Sequence, residues 1–232
     1  MRIYLDIETV PSQKPDAREQ VKATIKPPGT LKKAESIQAW WDNESAAAIE
    51  EAYRRQALDA AEGELISISW CTDDGDAQTA IRAPGESEHI VLEGFFDRLQ
   101  TMLEDSAIRD HRGEAIYDDA PFFVCHNAAF DLGFMWRRSI VLGIRPPFKL
   151  PSPSAREGKD YGCTMKAWAG YKDTISLDRL CRALGIASPK GDLDGSKVLD
   201  AWQAGELDRI ADYNRRDVLA TRECWRRLNW EV

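Results

Sequence analysis

The stretch Ile3-Tyr4-Leu5-Asp6-Ile7-Glu8-Thr9 constrains this chain more than any other. Apolar and polar positions alternate with the period of a strand, setting Ile3, Leu5 and Ile7 on one face and Tyr4, Asp6 and Glu8 on the other. Two carboxylates then project from the same side of one strand, with oxygens close enough to share or bridge a divalent cation. Within an apolar strand such a pair repels unless a cation or a water-filled cleft lies opposite. The same spacing recurs at Glu62/Glu64, Asp74/Asp76, Asp192/Asp194 and Glu206/Asp208. Those pairs fall where turns or helix starts are expected, and solvated acids account for them.

The strand opens a chain of 232 residues, a length that suits one domain, 1–232, with a helical insertion at about 11–62. After Pro11 the sequence turns rich in Lys, Pro and Gly, and from 35 to 62 it is rich in Ala and Glu, with Trp40, Trp41, Ile49, Tyr53 and Leu58 at helical intervals. Strand patterns resume at 64–71 and 77–83, joined by the turn cluster Asp73-Asp74-Gly75-Asp76. A helix follows at 87–103, then a short buried strand at 121–126 and a helix capped by Asn127 that runs through Phe130 and Phe134. Residues 145–162 read as a loop. Further helices are expected near 176–184, ending at Gly185, and at about 196–203 and 206–228. Strands followed by strands alternating with helices define an α/β fold, a mixed sheet with helices packed against it.

Composition excludes several classes. At 43% apolar and 30% charged residues the chain is neither disordered nor a fibrous repeat. No window approaches eighteen apolar residues, and Asp6 and Glu8 occupy the place of a signal peptide's apolar stretch, so a soluble cytoplasmic protein with no membrane partner is expected. Five widely spaced cysteines without a Cys-x-x-Cys pair read as buried free thiols rather than a disulfide framework or zinc site. Residues 1–120 hold 13 Lys and Arg against 25 Asp and Glu, whereas residues 121–232 hold 18 against 14, a balance that suits an anionic partner held locally.

Two more segments carry paired polar groups. Asn127 and Asp131 share a helix face at the start of the helix after the buried strand, and Tyr213 and Asp217 share a face on the last helix, so a phenol and a carboxylate can meet one ligand. Taken singly, a first-turn Asp or a solvated helical Asp is ordinary. The ordered set Asp6-Ile7-Glu8-Thr9, Asn127-x-x-x-Asp131 and Tyr213-x-x-x-Asp217 resembles the three exonuclease motifs of the DEDD superfamily of 3'-5' exonucleases. Tyr213 places the resemblance in the tyrosine (DEDDy) branch, since the histidine branch would want His where this chain has Asp212. Gly191-Asp192-Leu193-Asp194-Gly195-Ser196 and Ser176-Leu177-Asp178-Arg179-Leu180 bring it nearest to stand-alone exonucleases related to the proofreading domain of family-B DNA polymerases. Residues 11–62 fall outside it, and 232 residues leave no room for a polymerase.

The resemblance implies a ribonuclease H-like fold and a metal-dependent nuclease. Asp6, Glu8, Asp131 and Asp217 are the implied metal ligands for two Mg²⁺ or Mn²⁺ ions, Tyr213 the residue that orients the nucleophile, and Thr9 a contact to the terminal nucleotide. His126, Asn127 and Phe130 are further candidates for substrate binding. Hard oxygen ligands independently favour hard cations. The expected partner is single-stranded nucleic acid, DNA favoured over RNA, with Arg137, Arg138, Arg145, Lys149, Arg156, Lys159 and Lys166 as a path for its phosphates. An exoribonuclease or oligonucleotide trimmer is the rival in chemistry. A non-catalytic nucleic-acid-binding module is the rival from another class, but such a module has no physical reason to keep four mutually repelling acids.

Overall fold

The computed structural model describes residues 1–106 and 121–232. Their strands are β1 (Arg2–Val10), β2 (Glu64–Cys71), β3 (Gln78–Ile81), β4 (Phe122–Cys125) and β5 (Gly162–Cys163). They form one mixed sheet in the order β3-β2-β1-β4-β5. The β2–β3 pair is a hairpin, antiparallel with Ser67 opposite Ile81, whereas β1 and β4 run parallel with Ile3 opposite Phe123, and β5 continues parallel on β4.

Helices α1 (Ala17–Thr24), α2 (Ala34–Asn43) and α3 (Ser45–Arg55) lie between β1 and β2. They belong to a compact unit, Thr9–Glu64, and the second unit comprises Met1–Glu8 with Leu65–Val232. In the smaller unit the Arg18 guanidinium covers the Tyr53 ring at 3.8 Å and pairs with Glu50 at 3.1 Å, while the buried Tyr53 hydroxyl donates to the Ser12 carbonyl. α1 lies inside the stretch whose Lys, Pro and Gly content masked its helical period.

The larger unit holds α4 (His89–Ser106), α5 (Ala128–Leu142), α6 (Thr164–Ala169), α7 (Leu177–Leu184), α8 (Val198–Gln203) and α9 (Leu207–Leu228). Alternation along the strands builds two apolar layers. Trp70 and Phe123 meet Phe95 and Phe96 of α4 and Phe148 of the loop after α5. On the other side Tyr4, Cys71 and Val124 pack against Val218 of α9, with Leu219 and Trp225 at the margin. Each such fully buried side chain contributes about 1.5–3 kcal/mol relative to exposure. A buried ion pair, Arg138 to Glu88 at 2.5 Å, ties α5 to the start of α4, and the same carboxylate accepts the Leu65 backbone N–H at 2.8 Å. α7 is bounded as its sequence demands: the Ser176 hydroxyl accepts from Arg179 N–H, and Gly185 closes it at φ 70°.

All five cysteines are buried and free. No described helix is long and apolar enough to cross a membrane.

Candidate active site

Period two on β1 turns Asp6 and Glu8 toward the α9 side, the face they share with Tyr4. On α9, Tyr213 and Asp217 stand one turn apart. Asp6, Glu8 and Asp217 each bring a carboxylate oxygen within 4.8 Å of the others. Asp131, in the first turn of α5, is buried, and its carboxylate accepts backbone N–H groups of Ile7 and of Asp131 itself. It lies outside the close trio, yet its charge acts on both Asp6 and Glu8.

The electrostatics follow from this crowding. Burial, reinforced by the neighbouring carboxylates, holds Asp6 and Glu8 well above the usual carboxylate range. Burial pushes Asp131 up to about 8 and Asp217 up to about 6, the second restrained by the Tyr213 hydroxyl and by Arg216. Among the described residues no basic side chain forms an ion pair with Asp6, Glu8 or Asp131, whereas the charge of Arg216 partly offsets the rise at Asp217. Burial and the charges of Glu8, Asp217 and Asp6 raise the Tyr213 phenol, which stays protonated and hydrogen-bonds Asp217. A cluster of crowded hard oxygen donors, offset only in part by Arg216, fits divalent cations such as Mg²⁺ or Mn²⁺.

The remaining expected site residues are placed less uniformly. Asn127 occupies the position before α5, but in a left-handed conformation (φ 65°, ψ 43°), and its side chain does not cap the helix. Its carbonyl accepts the Phe130 N–H at 2.8 Å instead. Asn tolerates this conformation better than most residues, and its exposed amide has no hydrogen-bond partner among the described residues. Phe130 is half-buried and packs on Phe134, ring centroids 5.6 Å apart. His126 is tied at both nitrogens, to Thr164 Oγ1 and the Ile175 carbonyl, each at 2.9 Å, so neither is left for a substrate. Burial lowers its pKa, which keeps the ring neutral. Thr9 follows Glu8 in β1 but belongs to the smaller unit, where its hydroxyl donates to the Ala57 carbonyl at 2.6 Å.

The basic path also needs revision. Arg138 is buried in its pair with Glu88 and cannot reach a phosphate. Arg137, Arg145, Lys149, Arg156 and Lys159 are exposed. Arg137 borders a hollow of about 240 Å³ between the first turns of α5 and the segment 151–161, walled by Ala128, Leu132, Pro151 and Tyr161. Of the tryptophans, Trp202 is core, its indole N–H bonded to the Arg82 carbonyl, whereas Trp168 is 48% exposed.

Two groups at the site escape sequence reasoning. Asn214, fully buried on α9, donates from Nδ2 to Asp6 Oδ2 at 2.5 Å, and its Oδ1 accepts from buried Ser67 of β2 at 2.9 Å. No motif marks either residue, because the contact joins positions far apart in the chain.

The fold and these acids define an α/β domain of ribonuclease H-like architecture whose sheet presents carboxylates from β1, α5 and α9. A family model described as a predicted 3'-5' exonuclease related to the exonuclease domain of PolB matches residues 62–230, and the chain belongs to this family. That stretch includes Asp131, Tyr213 and Asp217, while Asp6 and Glu8 precede it. No curated protein gives a significant match. Among solved structures the chain is similar to the family B DNA polymerase from the hyperthermophilic archaeon Pyrobaculum calidifontis, with a TM-score of 0.54 and 15% identity. The likeness covers 97% of this chain and 24% of the polymerase chain, so it bears on the fold alone and on about a quarter of that protein.

Proposed function

We propose that this protein is a metal-dependent 3'-5' exonuclease of the tyrosine DEDD branch that removes nucleoside 5'-monophosphates from the 3' end of single-stranded DNA. The observation that carries the reading is the acidic trio Asp6, Glu8 and Asp217, whose carboxylates crowd within 4.8 Å and are raised in pKa even though Arg216 partly offsets Asp217. Family membership supplies the reaction class, and the family's relation to the exonuclease domain of PolB favours DNA over RNA.

Asp6, Glu8 and Asp217 would hold two Mg²⁺ or Mn²⁺ ions, with Asp131 completing the acidic set. When bound, the ions would neutralise these acids, make water a better nucleophile and stabilise the leaving 3'-oxygen. Tyr213 contributes through its proton. Its phenol cannot serve as a base near neutral pH; its single proton rests on Asp217 here and, with Asp217 engaged by a cation, would turn to orient the attacking water or a phosphate oxygen. The unpartnered Asn127 amide and the half-buried Phe130 ring precede Asp131 at the start of α5 and are suited to the terminal nucleotide. Thr9 and His126 have their polar atoms engaged within the protein, and they support the site rather than read the substrate. Arg137, Lys149 and Lys159 offer exposed cations to the phosphates upstream.

The test uses 5'-labelled single-stranded DNA and RNA of equal sequence, each with Mg²⁺, Mn²⁺ or EDTA, resolved to single nucleotides. A ladder that shortens stepwise with metal and stops with EDTA is expected, faster on DNA. Faster trimming of RNA would select the exoribonuclease reading. Immediate release of a labelled mononucleotide would reverse the polarity, and no cleavage under any condition would leave a binding module.

A further inference from the structure

The residue after Tyr213 leaves α9 about 100° around the helix. This turns Asn214 into the protein, where it is fully buried between Asp6 of β1 and Ser67 of β2, neighbouring strands of the sheet. The amide nitrogen faces Asp6, the orientation that also suits the ionised carboxylate a cation requires, since that form can only accept hydrogen bonds. The Ser67 hydroxyl donates to the amide oxygen and opposes a flip that would set this oxygen against the acid. One link of 2.5 Å and one of 2.9 Å thus connect β2, α9 and the carboxylate of β1.

We propose that Asn214, held by Ser67, is a positioning residue that fixes the plane of the Asp6 carboxylate and leaves its remaining lone pairs to a divalent cation. The inference rests on reading the acidic trio as a cation site. The chemistry of the donor explains why an amide stands here. A lysine or arginine would pair with Asp6 and compete with the incoming cation, whereas an amide supplies one directed hydrogen bond and no net charge. A carboxylate offers about four lone-pair sites. With one occupied by Asn214 the group cannot rotate freely, so little ordering is left to cation binding. Partners of this kind commonly set metal affinity by about 10–100-fold.

The experiment compares wild type, Asn214→Leu, which keeps volume but removes the donor, and Ser67→Ala, which frees the amide to turn. Mn²⁺ binding is measured by titration calorimetry, melting temperature is measured without metal, and cleavage rate is followed against Mn²⁺ concentration. Asn214→Leu is expected to weaken Mn²⁺ binding about 10–100-fold, and Ser67→Ala to weaken it less, in the same direction. Variants that melt lower yet bind Mn²⁺ as wild type does would show a merely structural bridge and overturn the proposal. If Asn214→Leu does not fold, Ser67→Ala decides alone, and wild-type affinity there overturns it. Weakened Mn²⁺ binding in a wild-type background that cleaves no nucleic acid would uphold the positioning role while removing the exonuclease reading. A cleaving wild type whose folded variants bind Mn²⁺ normally would do the reverse.

Discussion

Two acidic regions of this molecule carry the same side chains in opposite electrostatic states. Around α7 and the segment before α8, each acid has a partner of its own. Asp178 accepts from the Ser188 hydroxyl at 2.6 Å and pairs with Arg182 and Lys190, Asp192 pairs with Arg209 at 2.8 Å, and Asp194 pairs with Lys197 at 2.8 Å. All three are held below the ordinary range: Asp178 chiefly by Ser188, Asp192 chiefly by its own backbone N–H, and Asp194, at about 2, by Lys197 and then Ser196. Asp6, Glu8, Asp131 and Asp217 are pushed the other way by burial. Density of acids therefore says little. Burial of acids that the chain leaves short of counter-charge says that the charge balance is completed from outside.

The largest effect should come from removing Asp6, on which the charges of Asp131, Asp217 and Glu8 all act. Asp6→Asn is expected to abolish cleavage and also to blunt the rise in melting temperature that Mn²⁺ gives the wild type, a stabilisation of about 2.7 kcal/mol at a hundredfold excess over Kd. The metal-free protein adds a test of sign. Folded-state pKa values of about 6 for Asp217 and about 8 for Asp131 exceed the ordinary 3.8, so the folded chain holds protons that the unfolded chain has released. Stability should fall as pH rises from about 4 through these values, and saturating Mn²⁺ should reverse the trend at neutral pH. Asp131→Asn should flatten the upper part of the slope. Melting curves in EDTA that rise across this range would show that the four acids are not strained against one another.

A second, smaller effect separates the phenol from the acids. Tyr213→Phe removes a proton donor and no charge, so single-turnover cleavage should drop by about 10²–10⁴-fold, far more than Mn²⁺ affinity falls. Asp217→Asn should lose rate and Mn²⁺ affinity together. A Tyr213→Phe enzyme that cleaves at the wild-type rate would end the tyrosine-branch assignment while leaving the acids in place.

How much of this was legible in the sequence depends on the range of each interaction. The acids of β1 stood out because alternation is local, and Tyr213 with Asp217 because four residues make one helical turn. β5 was not legible, since two residues carry no alternation, nor was α6, which spans only Thr164–Ala169. The left-handed backbone of Asn127 leaves no periodic trace. Asn214 and Ser67 look like two ordinary polar residues until β2 and α9 pack, because their bond spans 147 residues. Arg138 was grouped with exposed Arg137 by adjacency, but one helical step turns it inward to Glu88, 50 residues away.

That buried pair sharpens the comparison from a third side, as an acid that is buried and also paired. Glu88 and Arg138 side chains are 4% and 8% exposed. Arg138→Met should cost about 3–5 kcal/mol by stranding Glu88, with the folded fraction cleaving at the wild-type rate. The double variant Arg138→Met with Glu88→Gln should recover part of the loss. A single variant that melts normally but no longer binds nucleic acid would return Arg138 to the phosphate path.

The smallest effect is expected at Asp194, and its smallness is what the comparison requires. The Oδ1 of Asp194 accepts from the Ser196 backbone N–H at 3.1 Å and from the Ser196 hydroxyl at 2.5 Å, while Oδ2 pairs with Lys197. An asparagine can keep both bonds from Ser196 through its own oxygen. It loses only the pair with Lys197, whose two side chains are 48% and 57% exposed and screened by water and salt. Asp194→Asn should thus leave melting temperature, Mn²⁺ response and cleavage rate unresolved from wild type at neutral pH. Its one visible consequence belongs at low pH. The lowered pKa gives a stability that is present above the unfolded value near 3.8 and lost as pH falls through about 2, and the variant lacks this dependence. Should Asp194→Asn instead depress Mn²⁺ binding as Asp217→Asn does, the cation would be drawn to acids that already have partners, and the contrast between the two regions would no longer mark the site.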